Sequence, residues 1–189
     1  MSVQMEFSKT EINGVWLTQT EIHKDERGTF QECSKFMASL NRTSERFEVA
    51  QTNSSKSKQG VVRGLHFSLE PAGQWKWITC LSGSILDVVV DIRLDSPTFS
   101  KIVKVELDSE NGIGVLIQAN LAHGFQSIQS DSIVVYNLSS EYNPTLEYGI
   151  NPLDKDLNID WPISEMIISN KDTTAPSLTQ MRQLGKLPI

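Results

Sequence analysis

Ser84-Ile85-Leu86-Asp87-Val88-Val89-Val90-Asp91-Ile92-Arg93 is the most apolar run in the chain. Ile85, Leu86, Val88, Val89, Val90 and Ile92 suit a central strand with both faces covered. A Ser82-Gly83 turn precedes it, and Asp95-Ser96-Pro97-Thr98 is a turn after it. Upstream lie two further strand-like runs, Val61 to Phe67 and Trp75 to Leu81. Downstream, Ile102, Val103, Val105 and Leu107 form the next run, Asn111-Gly112 a turn, and Gly114 to Ile117, Phe125 to Ile128 and Ser132 to Leu138 three more. Short strands with turn signals at this spacing predict an all-β fold, a sandwich or barrel with a few short helices. No segment suggests a βαβ unit, and no glycine-rich phosphate loop is present.

Outside this block the signals are weaker. Val3, Met5 and Phe7, then Val15-Trp16-Leu17, predict two short strands. Lys24-Asp25-Glu26-Arg27-Gly28 reads as a charged turn before an ordered segment beginning at Phe30. Phe36, Met37 and Leu40 predict a helix over residues 31–46, and Phe47 to Gln51 a return to strand. Asn53 to Gly60 is polar throughout and reads as a loop. After residue 139, prolines at intervals predict loops with short helical turns, packed onto the barrel by Leu153, Leu157, Ile159 and Trp161. The whole of 1–189 reads as one domain, with 177–189 a peripheral tail.

The balance of 23 acidic against 17 basic side chains argues against a dedicated nucleic-acid binder, though not against a local basic pocket for a phosphorylated ligand. Cys33 and Cys80 lack metal or redox spacing and read as reduced thiols of a cytoplasmic protein. No apolar run is long enough to span a bilayer, and no membrane association is expected.

Taken singly, the reactive side chains are ambiguous. His66, in the strand Val61-Val62-Arg63-Gly64-Leu65-His66-Phe67, is either a hydrogen-bonded core histidine or a working base. Strand alternation puts Val62 and Gly64 on its side and Arg63 on the other, unless a bulge intervenes and brings Arg63 into the same pocket. Lys76 is either a snorkelling lysine or, between Trp75 and Trp77, an inward cation suited to an anionic ligand or enolate. Tyr136 reads as a core tyrosine and Asp172 as a surface turn. The three histidines, His23, His66 and His123, form no H-x-H pair, and the cations beside His66 oppose a divalent ion, so a metal-free pocket is expected.

Together, and in order, these residues say more. Arg63-Gly64-Leu65-His66-Phe67, Gln74-x-Lys76, Asp87 to Arg93, Ser96-Pro97-Thr98-Phe99, Ala122-His123-Gly124-Phe125, Tyr136, Tyr142-x-Pro144, Asp160-Trp161-Pro162 and Lys171-Asp172-x-x-Ala175-Pro176 resemble the dTDP-4-dehydrorhamnose 3,5-epimerase family across residues 12–178. The resemblance implies a cupin-like β jelly roll. It also implies a homodimer in which an N-terminal strand crosses to the partner, and a reaction that uses neither metal nor organic cofactor. The implied substrate is a nucleotide-linked 4-keto-6-deoxy sugar inverted at C3 and C5.

By the same resemblance His66 matches the base, Asp172 the carboxylate that orients it, Lys76 the cation near the enolate oxygen and Tyr136 the acid. Arg27, Phe30 and Glu32 match the segment contacting the nucleotide sugar. Gln51 and Asn53 match a ligand-contacting Q-x-N, and Arg63 a diphosphate-contacting arginine. His123, Tyr142, Glu147 and Lys171 match further binding positions. Gln118-Ala119-Asn120-Leu121, Asn137, Trp75 and Trp77 depart from the common family pattern. Ser139-Ser140-x-Tyr142, Asn151-Pro152-Leu153-Asp154 and the tail Gln183 to Pro188 are similar to relatives that make unusual deoxysugars, which implies a C3-only or C5-only epimerase as an alternative. Trp75 and Trp77 are the expected seat of a different substrate preference. A 3,4-ketoisomerase and a non-catalytic sugar-binding jelly roll are the competing readings from outside the epimerases.

Overall fold

The computed structural model describes residues 5–35, 47–71 and 73–189. Its strands run β1 Glu6–Lys9, β2 Val15–Gln19, β3 Ile22–Asp25, β4 Gly28–Gln31, β5 Gln51–Ser57, β6 Val61–Ser68, β7 Lys76–Ser82, β8 Ser84–Asp91, β9 Ile102–Asp108, β10 Ile113–Ile117, β11 Leu121–Ser127, β12 Ser132–Leu138, β13 Glu147–Gly149 and β14 Ile167–Ile168. Two short helices follow, α1 Asn170–Thr173 and α2 Leu178–Gln183. One sheet has the order β1-β2-β10-β7-β12-β5, and the other β13-β6-β11-β8-β9 with β14 added beside β6. Neighbours along both orders pair antiparallel, and the two sheets face each other as a cupin-like jelly roll.

Alternation along the strands sorts the apolar side chains into three layers. Ile78 and Cys80 of β7, Ile85 and Val89 of β8, Val115 and Ile117 of β10, Phe125 of β11 and Val134 of β12 fill the space between the sheets. Val88, Val90 and Ile92 face the other way and pack against Ile150, Leu157, Trp161, Leu178 and Met181 of the C-terminal segment. Both faces of β8 are therefore covered, which is why its sequence is almost continuously apolar. Trp75, Trp77, Trp16, Phe47 and Leu116 form the third layer, outside the first sheet. Each fully buried Ile, Leu or Phe among these contributes roughly 1.5–3 kcal/mol of burial.

Several expectations are corrected. Residues 53–57 are strand, not loop. β5 is an edge strand whose Thr52, Ser54 and Lys56 face solvent, while Gln51, Asn53 and Ser55 face inward among polar neighbours, so neither face is apolar enough to signal a strand. Gln31 ends β4 and residues 32–35 have no regular structure; the rest of the helix expected over 31–46 lies outside the described residues. Leu153 is half exposed rather than packed, whereas Leu157 and Trp161 are buried. Residues 177–189 are not peripheral. Ser177 caps α2 in a capping box, Leu178 and Met181 enter the core, and the Leu94 N–H donates to the Pro188 carbonyl at 2.9 Å. Two apolar residues on a six-residue helix are too few to register as periodicity.

Candidate active site

The inner faces of the two sheets enclose a cavity of about 540 Å³. His66 and Arg63 both reach it, although three residues apart on one strand. His66 pairs with His123 and Arg63 with Phe125, so β6 uses three residues where β11 uses two. This bulge reverses the alternation between them, turning Leu65 outward and both polar side chains inward. Gly64 and Gly124 allow it. A Cβ on Gly64 would stand 2.6 Å from the Gly124 Cα, and one on Gly124 would stand 2.7 Å from the Arg63 carbonyl oxygen. The glycines in R-G-L-H and A-H-G-F are thus there for the close approach of two backbones.

His66 Nε2 lies 2.7 Å from Asp172 Oδ1. The carboxylate accepts the Nε2 proton, leaving Nδ1 as the nitrogen able to take one. Ser169, the N-cap of α1, holds the Asp172 backbone N–H. Burial opposes charge on Asp172. The hydrogen bond and field of His66, helped by Ser169 and Gly64, outweigh it and hold the carboxyl below its ordinary value. Lys76 is 8 % exposed, and its ammonium donates to the His66 carbonyl at 3.1 Å. Burial pulls the Lys76 ammonium below its ordinary range, against the opposing pull of Glu147 and Asp87. His123 faces the same cavity with its Nε2 2.7 Å from Asp87 Oδ2.

Lys76 shares its inward face with Ile78 and Cys80, so alternation sends Trp75 and Trp77 outward into the third apolar layer. They do not line the cavity, which corrects the expectation that they tune substrate preference. Tyr136 is inward on β12, opposite Asn53 of β5. Asn53, Arg63, His123, Tyr142, Glu147 and Lys171 line the cavity with His66, Lys76, Tyr136 and Asp172. Gln51 is not among its walls. Its amide is engaged by Asn53 at 2.7 Å and by the Tyr142 backbone N–H at 2.8 Å, which ties the cavity rim to β5.

Three sequence candidates lie elsewhere. Arg27 sits at the tip of the β3–β4 hairpin, exposed and paired to Asp25. Phe30, on the same hairpin, is 65 % exposed. Glu32 pairs with Lys35 at 2.6 Å. None of the three lines this chain's cavity. Two supporting residues had no role assigned from sequence. Ser169 was legible as the first residue of a Ser-x-x-Asp helix start. Asp87 was legible as a carboxylate inside the most apolar strand, where charge requires a partner. Among the described residues, no group of three or more His, Cys, Asp or Glu could hold a metal ion.

Residues 9–180 match the family model described as dTDP-4-dehydrorhamnose 3,5-epimerase. A dTDP-4-dehydrorhamnose 3,5-epimerase of Streptomyces griseus is 42% identical over 178 residues, covering 94% of this chain and 88% of the relative. The crystal structure of NovW, a 4-keto-6-deoxy sugar epimerase from Streptomyces spheroides, superimposes with a TM-score of 0.94 at 36% identity, over 98% of this chain and 93% of that one. ChmJ, a 3'-monoepimerase from Streptomyces bikiniensis solved with dTDP-quinovose, gives 0.91 at 39% identity, over 95% and 91%. With a family match over nearly its whole length and relatives of this closeness, the chain belongs to the dTDP-4-dehydrorhamnose 3,5-epimerase family.

Proposed function

We propose that the protein epimerises a dTDP-linked 4-keto-6-deoxyhexose at C3 and C5 through an enolate. One observation carries the reading: His66 and Tyr136 enter a single cavity from opposite sheets, β6 of one and β12 of the other. Inverting a carbon centre requires a proton taken from one face and returned to the other, and two opposed walls supply that. His66 Nδ1 takes the proton beside the ketone. The C–H electron pair becomes the new C=C bond, and the carbonyl π pair moves onto oxygen. Lys76 supplies positive charge for that oxygen inside a site sheltered from water. The Tyr136 hydroxyl returns a proton to carbon from the other side, after which solvent resets tyrosinate and imidazolium. Imidazole, with an ordinary pKa of about 6.5, suits the base. Arg63 and Lys171 offer cations for the diphosphate.

The test is incubation with dTDP-4-keto-6-deoxyglucose in deuterated water, read by position. Deuterium at C3 and C5 is expected. Deuterium at C3 alone would establish the monoepimerase reading, which the kinship with ChmJ supports, and none at either carbon would overturn both. Product NMR with a migrated carbonyl would instead indicate a ketoisomerase.

We infer further that residues 1–189 act as one catalytic domain in a cytoplasmic homodimer. The two cysteines, left as free thiols, support the compartment. The exposed β3–β4 hairpin supports the dimer, since Arg27 and Phe30 would there reach a partner's cavity. Mixing inactive His66→Ala and Arg27→Ala chains should restore activity in hybrids; no restoration would overturn the crossing arrangement.

A further inference from the structure

Asp87 is an anomaly behind the cavity wall. It sits in the most apolar strand, is 0 % exposed, and bonds His123 Nε2 through Oδ2 while Oδ1 makes no hydrogen bond to another described residue. A carboxylate so placed is costly unless a positive charge faces it, and a half-satisfied buried group calls for a reason. The sheet register supplies one. His123 pairs directly with His66 across β6 and β11, so both rings stand on the inner face of one sheet. Each has Nε2 committed to a carboxylate, so Nδ1 is the other ring nitrogen, and both histidines line the cavity. The two pairs differ in shelter, because His66 is far more open to solvent than His123.

Resting on the epimerase reading, we propose that Asp87 is a positioning residue that holds His123 as an imidazolium, so that His123 Nδ1–H donates to the sugar oxygen on which the enolate charge develops. The two histidine–aspartate pairs then run in opposite states: His66 arrives without its second proton and takes one, while His123 arrives with both and keeps them. No proton leaves His123 during the reaction; its hydrogen bond strengthens as the carbonyl oxygen becomes negative. The charged and titratable groups facing His123 are Arg63 and His66 on β6, Lys76 on β7, Tyr136 on β12 and Glu147 on β13, with Lys171 and Asp172 on α1.

The test is ¹⁵N NMR of the ligand-free, full-length protein labelled at histidine, with His123 assigned by loss of its signals in His123→Asn. Both His123 ring nitrogens should carry protons at neutral pH while His66 shows a lone-pair nitrogen. A lone pair on His123 would overturn the proposal, leaving Lys76 as the counter-charge of Asp87. In Asp87→Asn, His123 should lose one proton at the same pH. Its kcat should fall about 100-fold with KM within about 2-fold, as for loss of one oxyanion donor, and the alkaline limb of the pH–rate profile should move to lower pH. An unchanged alkaline limb would overturn the proposal. Should Asp87→Asn not fold, the wild-type spectrum still decides the charge. That spectrum needs no substrate, so a failed deuterium exchange would sink the epimerase reading, and the assigned role with it, without touching the measured state of His123.

Discussion

The cavity holds two histidine–aspartate pairs with the same 2.7 Å contact, and they are built differently. His66 pairs with Asp172, a residue of a four-residue helix that reaches the cavity from the C-terminal segment. His123 pairs with Asp87, both on strands of one sheet, where the carboxylate is completely enclosed. One pair joins two parts of the chain 106 residues apart, and the other joins neighbouring strands. A group that must take and release protons needs access to substrate and solvent. A group that must hold charge benefits from a rigid, dry setting.

The largest effect is expected where the comparison is broken outright. His66→Ala should reduce deuterium incorporation on the order of 10⁴-fold, the upper range for loss of a general base; exchange at the wild-type rate would remove His66 from the chemistry. Asp172→Asn should cost on the order of 10³-fold in kcat, because an amide neither fixes the tautomer nor stabilises imidazolium. That loss should exceed the loss in Asp87→Asn, and the reverse order would exchange the roles assigned to the pairs. Tyr136→Phe should slow net epimerisation about 10-fold more than initial exchange, since proton removal survives without the returning acid. Equal losses measured by NMR would place Tyr136 on the same step as His66.

Two smaller effects concern stability and separate pairing from catalysis. Asp91 is a buried carboxylate with no histidine, held by Arg93, Ser96 and Thr98. Burial opposes its charge, but these bonds outweigh burial and pull it down to about 2. Its folded value lies below the unfolded one, so its contribution is present above pH 4 and is lost as pH falls toward 2. Asp91→Asn should cost about 2 kcal/mol at pH 7 and less below pH 3, by urea denaturation, while the shape of the pH–rate profile stays that of wild type. Lys76 is the opposite case. Burial lowers its affinity for a proton, so the charged form costs stability at every pH below its unfolded value near 10.5. Lys76→Met should raise stability at pH 7 by about 1 kcal/mol while abolishing turnover; a lower Tm would mean that Asp87 and Glu147 depend on this ammonium.

Legibility in the sequence followed how local each signal was. β8 was plain because both of its faces are apolar. β5 was hidden because both of its faces carry polar side chains, Thr52, Ser54 and Lys56 on one and Gln51, Asn53 and Ser55 on the other, which leaves no apolar alternation to read. Trp75 and Trp77 misled because adjacency to Lys76 in sequence means opposite faces in a strand. Arg63 and His66 looked incompatible by simple alternation, and only the β6–β11 register shows the bulge that unites them. Arg27, Phe30 and Glu32 were picked out by motif, yet their place on an exposed hairpin and flank could not be read from the motif.

The amino-acid order by itself determined the all-β class, the turns between strands 61 and 138, the family, and the set His66, Lys76, Tyr136 and Asp172, because apolar periodicity, turn residues and motif spacing are written along the chain. Tertiary structure alone decided which of these share a cavity, that His66 and Tyr136 come from opposite sheets, and that Asp87 completes a second pair behind His123. Those facts depend on strand register and on contacts between residues far apart in sequence, and a one-residue slip in register would turn each side chain to the other face.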